Sequence, residues 1–236
     1  MDEDTKIQER VAEANKQISE RGLTLKTWGN ASECTFDRKA IFIKPSGVPF
    51  CDVTPENIVK VYFDGRGGDA LRPSVDTPIH QALYEGFPEI GGIVHIHSPY
   101  ATAFAQAKKQ IPCLGTTHAD YFYGNIPLVD ELTRKEIEEA YEANLGRGIV
   151  NYFKSHEIKP LDMPAILVPS HGAFTWGRNV DEALERAVVL EEVAKLAYRT
   201  INLLVVGKGI QEIDKHLLEK HHQRRRGENK YYGQEE

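Results

Sequence analysis

The 236-residue chain is poor in sulphur, with three cysteines and two methionines. Cys34, Cys51 and Cys113 are odd in number, far apart and form no Cys-x-x-Cys pair. That argues against a disulfide framework and reads as reduced thiols of a cytoplasmic protein. Long apolar runs are missing too. The longest, Ile201 to Val206, is interrupted by Asn202, far short of the roughly 20 residues that span a bilayer. The opening Met-Asp-Glu-Asp-Thr-Lys has neither the positive charge nor the apolar stretch of a secretory signal. Excess positive charge is absent: the formal net charge is −6, so no basic field draws nucleic acid. There is no Gly-x-Gly-x-x-Gly or Walker sequence to suggest a dinucleotide site or a P-loop. What remains is 41% hydrophobic and 27% charged, enough apolar material to fold and not the composition of a disordered chain. A soluble protein with one domain over 1–236 is expected.

Helical and extended patterns alternate along the chain. Ile7, Val11, Ala14 and Ile18 recur at helical spacing before Gly22. Ala40 to Ile43 and Ile58 to Phe63 read as strands, with a short helix opened by Thr54-Pro55-Glu56 between them. Asp76-Thr77-Pro78 opens a helix to Gly86, and the strand Gly91 to His97 feeds a helix over Ser98 to Ala107. Thr133 to Phe153 reads as a helix broken around Gly146 and Gly148. Ala165 to Pro169 is a strand, Asp181 to Thr200 a long helix, and Gln211 to Arg225 a last one. This interleaving predicts layered α/β packing, and pattern alone favours a parallel sheet.

Chemistry concentrates in a few places. His95 and His97 lie two apart on a strand, so both imidazoles project to one face; the bland alternative is a hydrogen-bonded pair at a strand end. His171 emerges just after the strand Ile166-Leu167-Val168, and Asp76 stands at a helix start, where it also reads as a plain cap. Three imidazoles and a carboxylate suit Zn²⁺, with Mn²⁺ or Co²⁺ as other occupants. Gly29-Asn30, Lys44-Pro45-Ser46-Gly47 and Ser74 are ordinary turns or anion-binding segments. Gly115 to Gly124 reads as a loop in which Asp120 is either a proton carrier or a local hydrogen-bond acceptor. The basic run from Lys220 to Arg226 reads first as a solvated helix end.

Taken together these segments resemble the L-ribulose-5-phosphate 4-epimerases of the class II aldolase superfamily. The likeness runs nearly end to end. It includes Thr27-Trp28-Gly29-Asn30-Ala31-Ser32, Ile43-Lys44-Pro45-Ser46-Gly47-Val48, Pro73-Ser74-Val75-Asp76-Thr77-Pro78 and Gly91 to Ser98. It continues through Ser170-His171-Gly172 and Trp176-Gly177; Gly115-Thr116-Thr117-His118-Ala119-Asp120-Tyr121-Phe122 and the terminal Tyr231-Tyr232-Gly233-Gln234 are specific to the epimerase branch. The resemblance implies a three-layer α/β/α sandwich with a mixed, largely antiparallel central sheet, against the parallel sheet that pattern favours. It implies a cytoplasmic homotetramer with sites shared between subunits, reached by a C-terminal helix and tail over 211–236, and no nucleic acid or membrane partner.

By the same resemblance His95, His97 and His171 are metal ligands, with Asp76 in or near the shell. Gly29, Asn30, Lys44, Ser46, Gly47 and Ser74 bind substrate and phosphate, and Asp120 and Tyr232 form the acid/base pair. His221 and Arg224 approach the substrate from the tail. The sequence departs from the family at Val75, where a second serine is common, and over His222 to Arg226. The implied reaction is inversion of C4 of a sugar phosphate by retro-aldol cleavage of C3–C4, rotation of the aldehyde and re-addition, in catabolism of arabinose or another pentose or ascorbate-derived sugar. Two alternatives stay open. One is a class II aldolase that releases dihydroxyacetone-type fragments, whose members typically carry a catalytic Glu where this chain has Asp76. The other is a non-catalytic adducin-like module, which could dispense with the metal ligands.

Overall fold

The computed structural model describes residues 2–65, 71–203 and 211–226. Its elements in chain order are α1 (Glu3–Glu20), β1 (Asn30–Cys34), β2 (Ala40–Ile43), β3 (Val59–Tyr62), α2 (Thr77–Gly86), β4 (Gly92–Ile96) and α3 (Pro99–Gln106). There follow α4 (Thr116–Tyr121), α5 (Arg134–Ser155), β5 (Ala165–Val168), β6 (Gly172–Gly177), α6 (Val180–Leu203) and α7 (Lys215–Arg226), with single 3₁₀ turns at Phe50–Asp52 and Pro55–Asn57. None of the described helices is long and apolar enough to cross a membrane.

The strands form one six-stranded sheet in the order β3-β2-β1-β4-β6-β5, and every ladder in it is antiparallel. The parallel sheet suggested by pattern is therefore wrong, and the antiparallel sheet implied by family resemblance is right. The reason lies in the connections. Arg38 (φ 54°) and Ser170 (φ 58°) sit in tight turns that fold β1 onto β2 and β5 onto β6, and such hairpins require antiparallel partners. Alternation of helix and strand does not encode that choice.

Two helical layers cover the sheet. On one face Ser32, Ile93, His95, Phe174 and Trp176 point toward α2 and α5, and Trp176 packs against Phe87 and Phe153 at ring distances of 5.5 and 5.2 Å. On the other face α6 is tied down by Thr175 Oγ1 donating to Ala183 O at 2.8 Å. There α1 is anchored by Asn15, whose Oδ1 accepts from Ala31 N at 2.9 Å. Most of the buried apolar side chains form one continuous core around the sheet, with a smaller cluster under α1.

Two local expectations are corrected. Residues around Asp120 form the short helix α4, packed against α6 and α7, where a loop was expected. The long helix α5 runs unbroken through Gly146, whose missing side chain lets α2 approach: a Cβ there would lie 2.7 Å from that of Ala82. Its one non-helical residue is instead Ala140, at φ −163° and ψ 73°.

Candidate metal and phosphate site

Antiparallel pairing brings the end of β4 beside the starts of β1 and β6. Asn30, His95 and Phe174 are direct cross-strand neighbours in one row of the sheet. The His95 ring stacks on Phe174 at 4.2 Å and 12°, and its Nδ1–H donates to Ala173 O at 2.9 Å. That fixes the tautomer and leaves Nε2 bare toward the end of the strand. His97, two residues on, places its own Nε2 3.0 Å from it, and His171 completes a cluster of three imidazoles whose ligand atoms all lie within 4.8 Å of one another.

Burial in an apolar sheet end, reinforced by mutual repulsion of the rings, pushes His95 well below the ordinary histidine range and His97 down to about 4. His171 is lowered as well, chiefly by burial. All three are neutral donors at pH 7. Two zinc-bound nitrogens at about 2.05 Å from a tetrahedral ion stand about 3.3 Å apart. The observed 3.0 Å between Nε2 atoms is close to that edge. The residues fit a divalent cation.

Asp76 stands where expected, at the start of α2, but its side chain makes no cap hydrogen bond. It turns instead into the site. Its Oδ2 accepts from Asn30 Nδ2 at 2.7 Å and lies 4.0 Å from His95 Nε2. Asn30 Nδ2 also donates to Ser74 Oγ at 3.0 Å, so one amide joins the carboxylate to the serine turn. The Oδ1 of Asn30 is buried and has no protein partner among the described residues.

Beside this cluster Lys44 leaves the end of β2 and is only 2% exposed. Its Nζ meets Pro45 O at 3.4 Å and the face of Phe50 at 4.9 Å, and among the described residues no carboxylate is paired with it. Burial pulls its pKa down to about 8. A buried ammonium without a counter-charge is a place for an anion. Ser74 N donates to Lys44 O at 3.0 Å and Ser46 N to Arg72 O at 2.9 Å, which joins the Lys44 and Ser74 turns side by side. Gly29 closes the rim at φ 82°, where a Cβ would lie 2.5 Å from His95 O. These groups line a single cleft of about 340 Å³ that also takes in Trp28, Val75 and the three imidazoles. A larger hollow of about 590 Å³ lies at the opposite end of the strands among Glu3, Asp4, Phe36 and Lys60. It brings no cluster of imidazoles together.

The match to the family described as Class II Aldolase and Adducin N-terminal domain covers residues 9–198. The chain belongs to the class II aldolase family. Its curated relatives include the L-ribulose-5-phosphate 4-epimerase UlaF of Salmonella paratyphi A, 44% identical and covering 97% of this chain and 99% of that one. The UlaF epimerase of Salmonella paratyphi B is 43% identical over the same share of both chains. Among solved structures an L-fuculose 1-phosphate aldolase superposes with a TM-score of 0.75 at 21% identity, covering 93% of this chain and 95% of that one. YgbL from Escherichia coli, a putative aldolase/epimerase/decarboxylase, gives 0.73 at 22% identity, over 93% and 99%. At such identities these two show the fold and nothing finer.

Within this class II aldolase fold the remaining expected residues fall in a second place. Asp120, on α4, is paired with His221 of α7, with Oδ1 2.7 Å from Nδ1. The helix α7 is held there by Tyr123 Oη donating to Glu219 at 2.7 Å and by His222 beside Asp162 at 3.5 Å. Asp120, His221 and Arg224 do not line the cleft of their own chain. Tyr232 lies outside the described residues. Sequence reasoning missed Tyr141, whose Oη lies 3.1 Å from His171 Nδ1. It sits in a helix of weak amphipathic pattern and no motif marks it. It also missed His80, one helical turn after Asp76 and fully buried, which bonds Ser32 Oγ at 2.7 Å.

Proposed function

We propose that this class II aldolase-family chain is an L-ribulose-5-phosphate 4-epimerase, an isomerase that inverts C4 to give D-xylulose 5-phosphate. The observation that carries the reading is one cleft that joins three neutral imidazoles to a buried, uncompensated ammonium. It suits a substrate with vicinal oxygens at one end and a phosphate at the other. The epimerase relatives at 44% identity over nearly the whole chain support the choice of reaction.

Lys44, with Ser46, Gly47 and Ser74, holds the phosphate, while Gly29 and Asn30 shape the floor and orient Asp76. A divalent cation at His95, His97 and His171, Zn²⁺ or else Mn²⁺ or Co²⁺, supplies a Lewis acid for negative charge on the substrate oxygens. The C4 hydrogen is neither acidic nor next to the carbonyl, so direct deprotonation is a poor route. Breaking and re-forming C3–C4 with rotation of the aldehyde between the two steps achieves the inversion. The C4 oxygen points differently in the two epimers, which calls for proton carriers on two sides. Asp120 and Tyr232 take these roles, with His221 and Arg224 beside them.

Asp120 is turned toward α7 and not toward the cleft of its own chain, which favours an oligomer in which one subunit's Asp120 serves its neighbour, a homotetramer by family resemblance. By this reading the C-terminal helix and tail of the single domain, 211–236, belong to that interface, with 227–236 outside the described residues, and the enzyme works in the cytoplasm. The test is a coupled assay for D-xylulose 5-phosphate with metal analysis of the same preparation. About one divalent ion per chain, lost together with activity in His97→Asn, is expected. Release of free dihydroxyacetone as the main product would favour an aldolase, and full activity in His97→Asn would displace the metal site.

A further inference from the structure

The interruption of α5 has no local cause. It falls at Ala140, and alanine is the best helix former, with no proline or glycine adjoining it. A break at such a residue is imposed by contacts made on either side of it. Two are present: Asn144 Nδ2 reaches back to donate to Glu136 O at 2.7 Å, and the very next residue, Tyr141, extends to His171.

His171 needs such help more than His95 does. His95 sits inside the sheet with Nδ1 fixed by a backbone carbonyl. His171 instead lies in the tight β5–β6 turn, just after Ser170 in the left-handed region, with its own N–H donating to Val168 O at 3.1 Å. Among the described residues its ring has one hydrogen-bond partner outside the imidazole cluster, the phenol of Tyr141. The two rings lie 6.3 Å apart at 31°.

We propose that Tyr141 is a positioning residue for His171, brought into reach by the break in α5. The inference rests on the metal reading above. A neutral imidazole carries one proton, and the nitrogen that meets a cation must be bare. With Nε2 turned to the cluster, Nδ1 keeps the proton and donates it to Tyr141 Oη, which accepts. The phenol thereby selects the tautomer and fixes the ring about its χ2 bond, as outer partners of ligating histidines do. Its own proton stays on the oxygen at neutral pH. No bond is made or broken in this role.

Tyr141→Phe keeps the ring and removes only the acceptor, so the fold is retained. Chelator competition on the purified protein should show divalent-ion affinity weakened by roughly 10–100-fold. The thermal unfolding of the metal-free protein should not move. The discriminating measurement is a double-mutant cycle with His171→Asn, in which Tyr141→Phe should weaken the remaining affinity no further. Wild-type affinity in Tyr141→Phe, or an equal loss on the His171→Asn background, would overturn the inference while leaving the metal site standing. A wild-type protein that binds no ion would instead reject the metal reading, and this inference with it.

Discussion

Lys44→Met separates two consequences of one buried charge, because it should make the free protein more stable and the enzyme worse. The ammonium is 2% exposed, meets a single carbonyl and is depressed from an ordinary 10.5 to about 8 by burial. At about 1.36 kcal/mol for each pKa unit, the folded state carries about 3 kcal/mol against the charged form. The face of Phe50 returns part of this. Methionine fills the same volume without charge, so a stabilisation of about 1–3 kcal/mol is expected at pH 7. The sign with pH follows from the unfolded chain holding its proton more tightly. Below about 8 both states are protonated and the penalty is complete. As pH rises through the window from about 8 to 10.5 the folded state sheds the proton first, wild type gains stability, and the advantage of methionine disappears. Urea denaturation of both proteins at pH 7 and pH 9.5 reads this directly. Phosphate affinity should move the other way, falling roughly 10–100-fold for the loss of a charge-assisted hydrogen bond. A variant less stable than wild type at pH 7, or one that loses as much affinity for an unphosphorylated ketose, would refute the reasoning.

Gly29→Ala places a Cβ 2.5 Å from His95 O on a backbone at φ 82°. It should cost about 2–4 kcal/mol of stability and reduce ion retention, and wild-type values for both in denaturation and metal analysis would count against the close β1–β4 approach. Acid should destabilise the metal-free protein. His80, His97 and His118 are held neutral by burial, at about 3, 4 and 4, so the unfolded state takes up more protons as pH falls below about 6.5. Urea midpoints that stay flat from pH 7 to pH 4.5 would contradict this. Tyr232→Phe and Asp120→Asn should each abolish most epimerisation while keeping metal. Mixed oligomers of His97→Asn and Asp120→Asn subunits should regain activity if one subunit's Asp120 serves its neighbour's imidazole cluster; none returning after verified subunit exchange would reject the shared site.

The parts of the site that were legible in the sequence are those set by short spacing. His95 and His97 share a face because a strand repeats every two residues, and Lys44 beside Ser46-Gly47 is a turn wherever the chain goes. Asp76 was legible as a helix start but not as a carboxylate directed inward, since Asn30, its hydrogen-bond partner, comes from a strand 46 positions away. Both β1 and β6 escaped notice because Asn30-Ala31-Ser32-Glu33-Cys34 and Gly172 to Gly177 are buried along their whole length and show no alternation. Asp120 lies on a helix of only six residues flanked by glycines, too short for a periodic signal. Tyr141 depends on a backbone break at an alanine, which no propensity announces.

The row of Asn30, His95 and Phe174 has a consequence for how such a protein changes over generations. Most of what is proposed to grip the substrate hangs from strand termini and the adjoining turns at one end of the sheet, whereas the ladders behind them are held by backbone pairing, apolar burial and side-chain hydrogen bonds to the covering helices. Selection on the reaction and selection on folding therefore act on different residues of the same strands. The gripping end can stay as it is while the pieces that approach it from outside, such as α4 with Asp120 and α7 with His221, are lengthened, lost or replaced. Innovation in such a lineage is inexpensive in stability, because a new proton carrier requires a new visitor and not a new core.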